Sequence, residues 1–226
     1  RLIMKISVLQ FPGTNCEYDT KYAFEQLGCD VEIIWHKEKT IPVDTELLVI
    51  PGGFSYGDYL RSGAIARFAD IMDSVQEYAA NGGKVLGICN GFQILLEAGL
   101  LPGAMKRNDS LHFISKYHTL KVINTDNKFL SLMKRDEIVN IPVAHHDGNY
   151  YIDANGLKEL EDNNQILLKY CDKDGNLVNM NGSISNIAGI CNKQKNVFGL
   201  MPHPERAIET ILGSTDGVNM LKGFLQ

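Results

Sequence analysis

A cysteine stands between two glycines in the segment GICNG, Gly87 to Gly91. This G-x-C-x-G spacing is the thiol version of the nucleophile elbow, in which a strand turns sharply into a helix. Glycines relieve the crowding at such a turn and let a substrate approach. The helix start offers free N–H groups and partial positive charge, which favour the thiolate form of Cys89. The pattern indicates a nucleophile; the alternative is a small hydrophobic residue that ends a core strand.

The flanking residues predict the elements that such an elbow requires. The apolar run 85–88 follows the turn residues 81–83 and is typical of a short strand buried on both faces of a parallel sheet. From Phe92 onward, apolar residues recur at helical spacing until Gly99 supplies a stop signal. Cys89 therefore falls at the junction between a strand and a helix.

The partners of this thiol are predicted in a second segment. A nucleophilic cysteine needs a base, and the base needs a group that orients it. Of the six histidines, His203 lies in MPHPER, residues 201–206, directly after a predicted strand. The prolines push the residues before them into extended conformations, in which residues two apart point to the same side. Glu205 could then hold the imidazole. Alone this segment would be interpreted as a solvated surface loop, but with the elbow it predicts a Cys89–His203–Glu205 triad.

Strand and helix signals alternate through the first half of the chain, and strands dominate the second half. The βαβ alternation predicts an α/β fold with a doubly wound, mostly parallel mixed sheet, which binds ligands at the carboxyl ends of its strands. We expect one domain over residues 1–226, with Met4 as the natural start and residues 1–3 as upstream sequence. The predicted strands are Lys5–Phe11, Val31–Trp35, Leu47–Ile50, Leu120–Ile123, Glu137–Val143, Ile166–Tyr170, Ile187–Cys191 and Val197–Met201, and the predicted helices are Glu17–Leu27 and Ser62–Ala80.

The composition limits the class of protein. The chain has 226 residues, enough for one large α/β domain or two small ones, and its hydrophobic content of 44% is sufficient to fill a core. Its net charge of −5 argues against binding to nucleic acid or to an anionic membrane, and no apolar run is long enough to span a bilayer. The five scattered cysteines include no C-x-x-C pair, which suits a reducing cytosol and disfavours a disulfide framework or a structural zinc site. We therefore expect a cytoplasmic enzyme.

Five segments, in order along nearly the whole chain, resemble the class I (triad) glutamine amidotransferases and, among these, the glutaminase subunits of phosphoribosylformylglycinamidine synthase. Cys89, His203 and Glu205 match the triad of that family. Two departures affect contacts and not chemistry: Met180 replaces the usual proline, and the dipeptide at 146–147 replaces a frequent glycine and glutamate. The segments are FPGTNCEYD, PGGFSYGDYLRSGAIAR, GICNGFQILLEAGLLPG, NGSISNIAGICN and MPHPER.

The resemblance implies a flavodoxin-like fold and a glutaminase mechanism. The Cys89 thiolate would attack the side-chain amide of L-glutamine and form a thioester, with His203 acting as acid and then as base. The oxyanion that develops needs N–H donors, and the backbone groups of Asn90 and Gly53 are the candidates. Gln93, one helical turn after Cys89, is either a substrate contact or an exposed helix position.

The coupled synthesis must take place on another chain. There is no G-x-x-x-x-G-K-[ST] phosphate loop and no room for a synthetase domain. The resemblance implies a large synthetase subunit that binds ATP, Mg²⁺ and formylglycinamide ribonucleotide, and a small third subunit that bridges the two. We expect no cofactor or metal in this chain. We also hypothesise that its glutaminase activity is low until the partner orders the loop near Gly53.

Other residues carry weaker signals. Arg61 and Arg67 could meet substrate or partner, although solvated surface positions are the simpler interpretation. The run HHD at 145–147 has metal-ligand residue types, yet adjacent side chains of an extended segment point apart and no third cluster completes a site. We expect this run to border the pocket or an interface. Cys16 follows the turn after the first strand and could lie near the same sheet edge; we assign it no chemistry.

Three functional alternatives stay open. A glutaminase subunit of another pathway, such as pyridoxal phosphate or histidine synthesis, would share the triad, but the segment FSYGDYLRSGAIAR argues against it. A cysteine peptidase or stress protein of the related elbow-bearing fold typically has histidine directly after the cysteine, where this chain has Asn90. A non-catalytic interaction module would not need the intact triad residues.

Overall fold

A mixed nine-stranded sheet forms the centre of the computed structural model, which describes residues 3–226. The expectation about an upstream origin of residues 1 and 2 lies outside this range. The strands are β1 (Lys5–Gln10), β2 (Asp30–Trp35), β3 (Leu47–Ile50), β4 (Lys84–Ile88), β5 (Ala104–Lys106), β6 (Ile114–Val122), β7 (Ile138–His145), β8 (Asn149–Tyr151), β9 (Ile166–Tyr170), β10 (Ile187–Cys191) and β11 (Val197–Leu200). The helices are α1 (Glu17–Gln26), α2 (Ile71–Ala80), α3 (Asn90–Glu97), α4 (Ala154–Asp162) and α5 (Gly217–Lys222).

The order of strands in the sheet is β2-β1-β3-β4-β11-β10-β9-β6-β7, and β5 pairs separately with β8. Every pairing from β2 to β11 is parallel, and every pairing from β11 to β7 is antiparallel. The chain winds outward from β1 to β2 and then returns to β3 on the other side of β1, which creates a switch point where ligands bind in such folds. These features confirm the predicted doubly wound α/β fold. The prediction that residues 1–226 form one domain stays a prediction.

The parallel half brings four loops together. Strands β1, β3, β4 and β11 are consecutive in the sheet and run in the same direction, so the loops that follow them leave the same edge. All four residues of β3 are completely buried, as expected for a strand covered on both faces. By contrast, β7 alternates between buried and more exposed residues, which is typical of an antiparallel strand with one solvated face. The predicted triad residues therefore belong to the enclosed half.

The predicted helix Ser62–Ala80 is wrong over its first half. Helix α2 begins only at Ile71, because Ala69 is extended with ψ 145° after a short 3-10 turn at Ala66–Phe68. Gly63 has φ +80°, and a Cβ atom there would lie 2.8 Å from the backbone of α3. This segment is used for close packing in a left-handed conformation, which a continuous helix cannot provide.

Several elements escaped the sequence pattern. Strand β6 begins at Ile114, well before the predicted Leu120. The sequence pattern missed this first part because most of its residues are polar and at least partly exposed. Helix α4 was missed because only Leu160 of its nine residues is buried, which leaves a weak apolar signal. The short elements β5, β8 and α5 were also not predicted. None of the helices between residues 3 and 226 has both the length and the apolar character needed to cross a membrane.

Candidate active site

The segment from β4 to α3 forms the predicted elbow. Cys89 has φ 51° and ψ −107°, a strained conformation for a residue with a side chain. A Cβ atom on Gly91 would lie 1.8 Å from the carbonyl oxygen of Ile50, and one on Gly87 would lie 2.7 Å from the carbonyl carbon of Gly91. Gly91 is therefore required for the turn to pack against β3, and Gly87 for α3 to pack against β4, as the G-x-C-x-G pattern predicts.

The loop after β11 holds the histidine and the glutamate together. Nδ1 of His203 and Oε1 of Glu205 are 2.6 Å apart, and both side chains are buried. The backbone N–H of His203 donates to the carbonyl of Pro142 in β7, which anchors the loop. Burial alone would lower the pKa of His203, but the Glu205 carboxylate and then the sulfur atoms of Cys89 and Cys16 raise that pKa well above its usual value. The site thus favours an imidazolium next to the Glu205 carboxylate.

The nucleophile candidate and the imidazole converge beside Gly52, at the end of β3. A Cβ atom on Gly52 would lie 2.8 Å from Cε1 of His203, 3.4 Å from Cβ of Cys89 and 3.1 Å from Sγ of Cys16. Within residues 3–226, Nε2 of His203 has no hydrogen-bond partner although it is buried. The Cys89 thiol donates weakly to the carbonyl of Ala144, at 3.5 Å. Cys16, Cys89, Ala144 and His203 line an open pocket of about 140 Å³.

The two predicted oxyanion donors lie in neighbouring loops. Gly53 lines the pocket and has φ +141°; a Cβ atom there would lie 2.6 Å from the backbone nitrogen of Asn15. Asn90 is the first residue of α3, so its backbone N–H has no acceptor within the helix. Its side-chain carbonyl accepts the N–H of Ser55 at 3.1 Å and so ties the Gly53 loop to the elbow. The arrangement is compatible with a shared oxyanion site, and the role of both donors stays a prediction.

The structure decides against one of the two interpretations of Gln93, which were a substrate contact and an exposed helix position. It is buried and therefore not an exposed helix position. Its amide donates to the carbonyl of Asp147 at 2.7 Å and accepts from the side chain of Asn90 at 2.9 Å. Gln93 is also absent from the pocket lining, so its contact with substrate stays a prediction. Its observed contacts join the start of α3 to the loop after β7.

Several pocket residues were not predicted. Cys16 immediately precedes α1 and lies beside His203, where its sulfur accepts a hydrogen bond from Nη2 of Arg206 at 2.9 Å. The sequence analysis placed Cys16 near this sheet edge without assigning it chemistry, and the topology explains that position, because β1 and β3 are neighbours and their following loops meet. Arg206 could have been inferred from its place after the His203 loop. Phe113 comes from the stretch before β6 and carries no sequence signal for the site. The unpredicted lining residues are Asn15, Phe54, Phe113, Ala144 and Arg206.

Cys16, His203 and Glu205 also bring possible metal ligands within 4.8 Å of one another. These atoms already have other partners. Oε1 of Glu205 holds the imidazole, and the cation of Arg206 lies against the sulfur of Cys16. We therefore attribute these contacts to the orientation of two side chains: Glu205 orients His203, and Cys16 holds Arg206. That the chain holds no metal stays a prediction.

The run at 145–147 borders the pocket through its neighbour Ala144. His145 is buried, and burial followed by the charge of His203 lowers its pKa to about 4. Nδ1 of His146 lies 3.0 Å from Oδ1 of Asp147, whose other oxygen accepts from Ser62 at 2.7 Å. These side chains form contacts between loops.

The two arginines after the Gly53 loop lie outside the pocket lining. Arg61 pairs with Glu97 at 2.6 Å on the surface. Arg67 packs over the exposed ring of Phe68, with 4.3 Å to the ring centroid. The contacts of Arg61 and Arg67 are consistent with the interpretation of both as surface residues.

Known proteins resemble this chain over its whole length. The family model of the CobB/CobQ-like glutamine amidotransferase domain matches residues 3–218. Phosphoribosylformylglycinamidine synthase subunit PurQ of Sulfurimonas denitrificans is 69% identical over 99% of this chain and 100% of its own length, and that of Wolinella succinogenes is 61% identical over 98% and 99%. A chain in the structure of PurLQS from Thermotoga maritima has a TM-score of 0.88 at 39% identity, covering 99% of this chain and 98% of that one. These findings confirm the resemblance inferred from the sequence segments. The chain therefore belongs to the CobB/CobQ-like glutamine amidotransferase family.

Proposed function

We propose that this chain hydrolyses L-glutamine through Cys89 and delivers the ammonia to a partner synthetase, which converts formylglycinamide ribonucleotide to formylglycinamidine ribonucleotide in purine biosynthesis. It is the glutaminase component of phosphoribosylformylglycinamidine synthase. High identity to full-length relatives of that name supports the pathway. The observation that carries the chemistry is the convergence of Cys89 and the His203–Glu205 pair beside Gly52.

The geometry supports a thioester mechanism. The Cys89 thiolate attacks the amide carbon of glutamine, and the backbone N–H groups of Gly53 and Asn90 stabilise the oxyanion. His203 transfers a proton to the departing ammonia and later takes one from the water that cleaves the thioester. Glu205 fixes the imidazole tautomer and stabilises the imidazolium, consistent with the raised pKa of His203.

The loop after Gly53 supports activation by the partner. Tyr56, Asp58 and Leu60 all have positive φ angles, and Tyr59 and Leu60 are exposed. A strained, exposed loop beside an oxyanion donor can be reordered by a docking protein at modest cost. The large subunit would bind ATP, Mg²⁺ and the ribonucleotide, a small subunit would bridge the two, and the complex would work in the cytoplasm.

The test is a comparison of ammonia sources in the assembled complex. We expect Cys89→Ala to lower glutamine-dependent ribonucleotide synthesis by about 10⁴-fold or more, because the nucleophile is lost. Synthesis from ammonium chloride should continue, because it bypasses the glutaminase. Release of glutamate, measured with and without the large subunit, reports the predicted activation.

The matched control is Cys29→Ala, which removes a buried cysteine that does not line the pocket. It should leave the glutamine-dependent rate unchanged. Glutaminase activity that survives Cys89→Ala would exclude the proposed nucleophile. Loss of synthesis from ammonium chloride as well would instead indicate a damaged complex, which size-exclusion chromatography of the same sample would reveal.

A further inference from the structure

The charge of the pocket is unevenly distributed. Its lining includes one side chain with a permanent positive charge, Arg206, and no carboxylate, among residues 3–226. The other titratable lining groups are His203, Cys89 and Cys16, of which the first two are assigned to the chemistry. Arg206 therefore has no part in the mechanism as derived above.

The contacts of Arg206 fix its side chain but leave part of it unused. Nη2 donates to Sγ of Cys16 at 2.9 Å, and Nε lies 3.4 Å from a carboxylate oxygen of Asp19. Nη1 makes no hydrogen bond to any part of the chain that the structure describes. The side chain is 36% exposed and belongs to the lining of the pocket, so a ligand in the pocket can reach it. A guanidinium held on one side and open on the other is suited to bind a carboxylate.

The substrate of the proposed function supplies such a group. L-glutamine carries an α-carboxylate four carbon–carbon bonds from the amide carbon that Cys89 attacks. With the amide at Cys89, the α-carboxylate must reach another part of the same small pocket, and a buried or partly buried carboxylate requires a cationic or N–H partner. Arg206 lines the same pocket as Cys89 and His203.

Resting on that proposed function, we infer that Arg206 is the residue that binds the α-carboxylate of glutamine and so distinguishes glutamine from amides that lack this group. Asp19 and Cys16 then act as positioning residues for the guanidinium. The inference predicts an effect on substrate recognition, in KM more than in kcat, which a purely structural role of Arg206 would not produce.

Three amides separate these roles in the assembled complex: L-glutamine, glutaramate (which lacks the α-amino group) and 4-aminobutanamide (which lacks the α-carboxylate). Ammonia release is measured for wild type, Arg206→Gln and Arg206→Lys. Arg206→Gln should lower kcat/KM by about 10- to 100-fold for glutamine and for glutaramate. For 4-aminobutanamide it should change kcat/KM by less than about 3-fold, because no charged hydrogen bond is lost there. Arg206→Lys should recover part of the loss.

The matched control is Arg135→Gln, which removes an exposed guanidinium before β7, at the opposite end of that strand from Ala144. It should leave all three substrates unchanged. An equal loss on all three amides in Arg206→Gln would overturn the inference and leave Arg206 a structural residue. The proposed function fails separately, through activity that survives Cys89→Ala.

Discussion

Two loops that border the pocket are built in opposite ways. At the elbow, residues 87–91, backbone atoms surround the turn so closely that a Cβ atom on Gly91 would lie 1.8 Å from the carbonyl oxygen of Ile50. In the loop at residues 53–62, a Cβ atom on Gly57 would meet no described atom within 4 Å, and Tyr59 and Leu60 are exposed. The elbow is thus tightly packed, whereas Gly57, Tyr59 and Leu60, in the loop that begins at Gly53, are loosely packed.

The difference separates two requirements of the reaction. The nucleophile must be held in one strained conformation, and close packing against β3 provides the rigidity that this needs. Gly53 packs closely against residues 13–15, but the loop that it begins has few packing contacts around Gly57, Tyr59 and Leu60, and such a segment changes conformation at low energetic cost. A fixed thiol beside a loop that a partner can reorder would allow the partner to control turnover without moving the triad.

The largest effect on stability should come from adding a side chain to a glycine of the elbow. Gly91→Ala places a methyl group against the backbone of Ile50, which cannot move without shifting a central strand. We expect the free energy of unfolding to fall by more than about 4 kcal/mol, measured by urea denaturation. A loss below about 1 kcal/mol would show that the elbow is not closely packed.

Removing the charge behind the imidazole should have the next largest effect. Burial lowers the pKa of His203, and the Glu205 carboxylate raises it. The substitution Glu205→Gln removes this negative charge. We expect kcat/KM to fall by about 100-fold. The limb of the pH profile that reports the imidazole should move to lower pH. An unchanged profile would show that Glu205 does not act on His203.

Asp58, in the loop that begins at Gly53, should make the free energy of unfolding depend on pH. Burial and then the nearby Asp147 carboxylate raise the pKa of Asp58 to about 6, from 3.8. Because the folded pKa lies above the unfolded one, the free energy of unfolding should fall as pH rises from about 4 to about 6. Asp58→Asn should abolish this slope and stabilise the protein at pH 7 by about 1–2 kcal/mol, a range reduced for partial solvent screening. The measurement is urea denaturation of both proteins at about pH 4, at about pH 6 and at pH 7. If the pH dependence persisted in Asp58→Asn, another group would be responsible for it.

The smallest effect is expected for Gly57→Ala, the counterpart of Gly91→Ala in the loosely packed loop. Gly57→Ala introduces a methyl group into open space, although the residue has φ +64°. We expect a loss of about 1 kcal/mol in the free energy of unfolding, from backbone strain alone. If Gly57→Ala lowered the free energy of unfolding as much as Gly91→Ala, the two loops would not differ in packing.

The sequence predicted the enclosed half of the molecule best. Strand β3 matched its predicted bounds because a fully buried strand is a continuous apolar run. The triad candidates were found because an elbow and a proline-bounded histidine have local signals. The helix Ser62–Ala80 failed because Gly63 packs on α3, a tertiary contact that periodicity does not report. Phe113 and the buried amide contacts of Gln93 were missed for the same reason.

The central claim is that Cys89, and not the neighbouring Cys16, is the sulfur that the site activates. Both line the pocket, and both lie near His203. The glutamine analogue 6-diazo-5-oxo-L-norleucine alkylates an activated thiol, and peptide mass spectrometry identifies the residue that carries the label. We predict that the assembled complex is labelled on Cys89 alone, and that Cys89→Ala takes up no label. Label on Cys16, or label that persists in Cys89→Ala, would contradict the account.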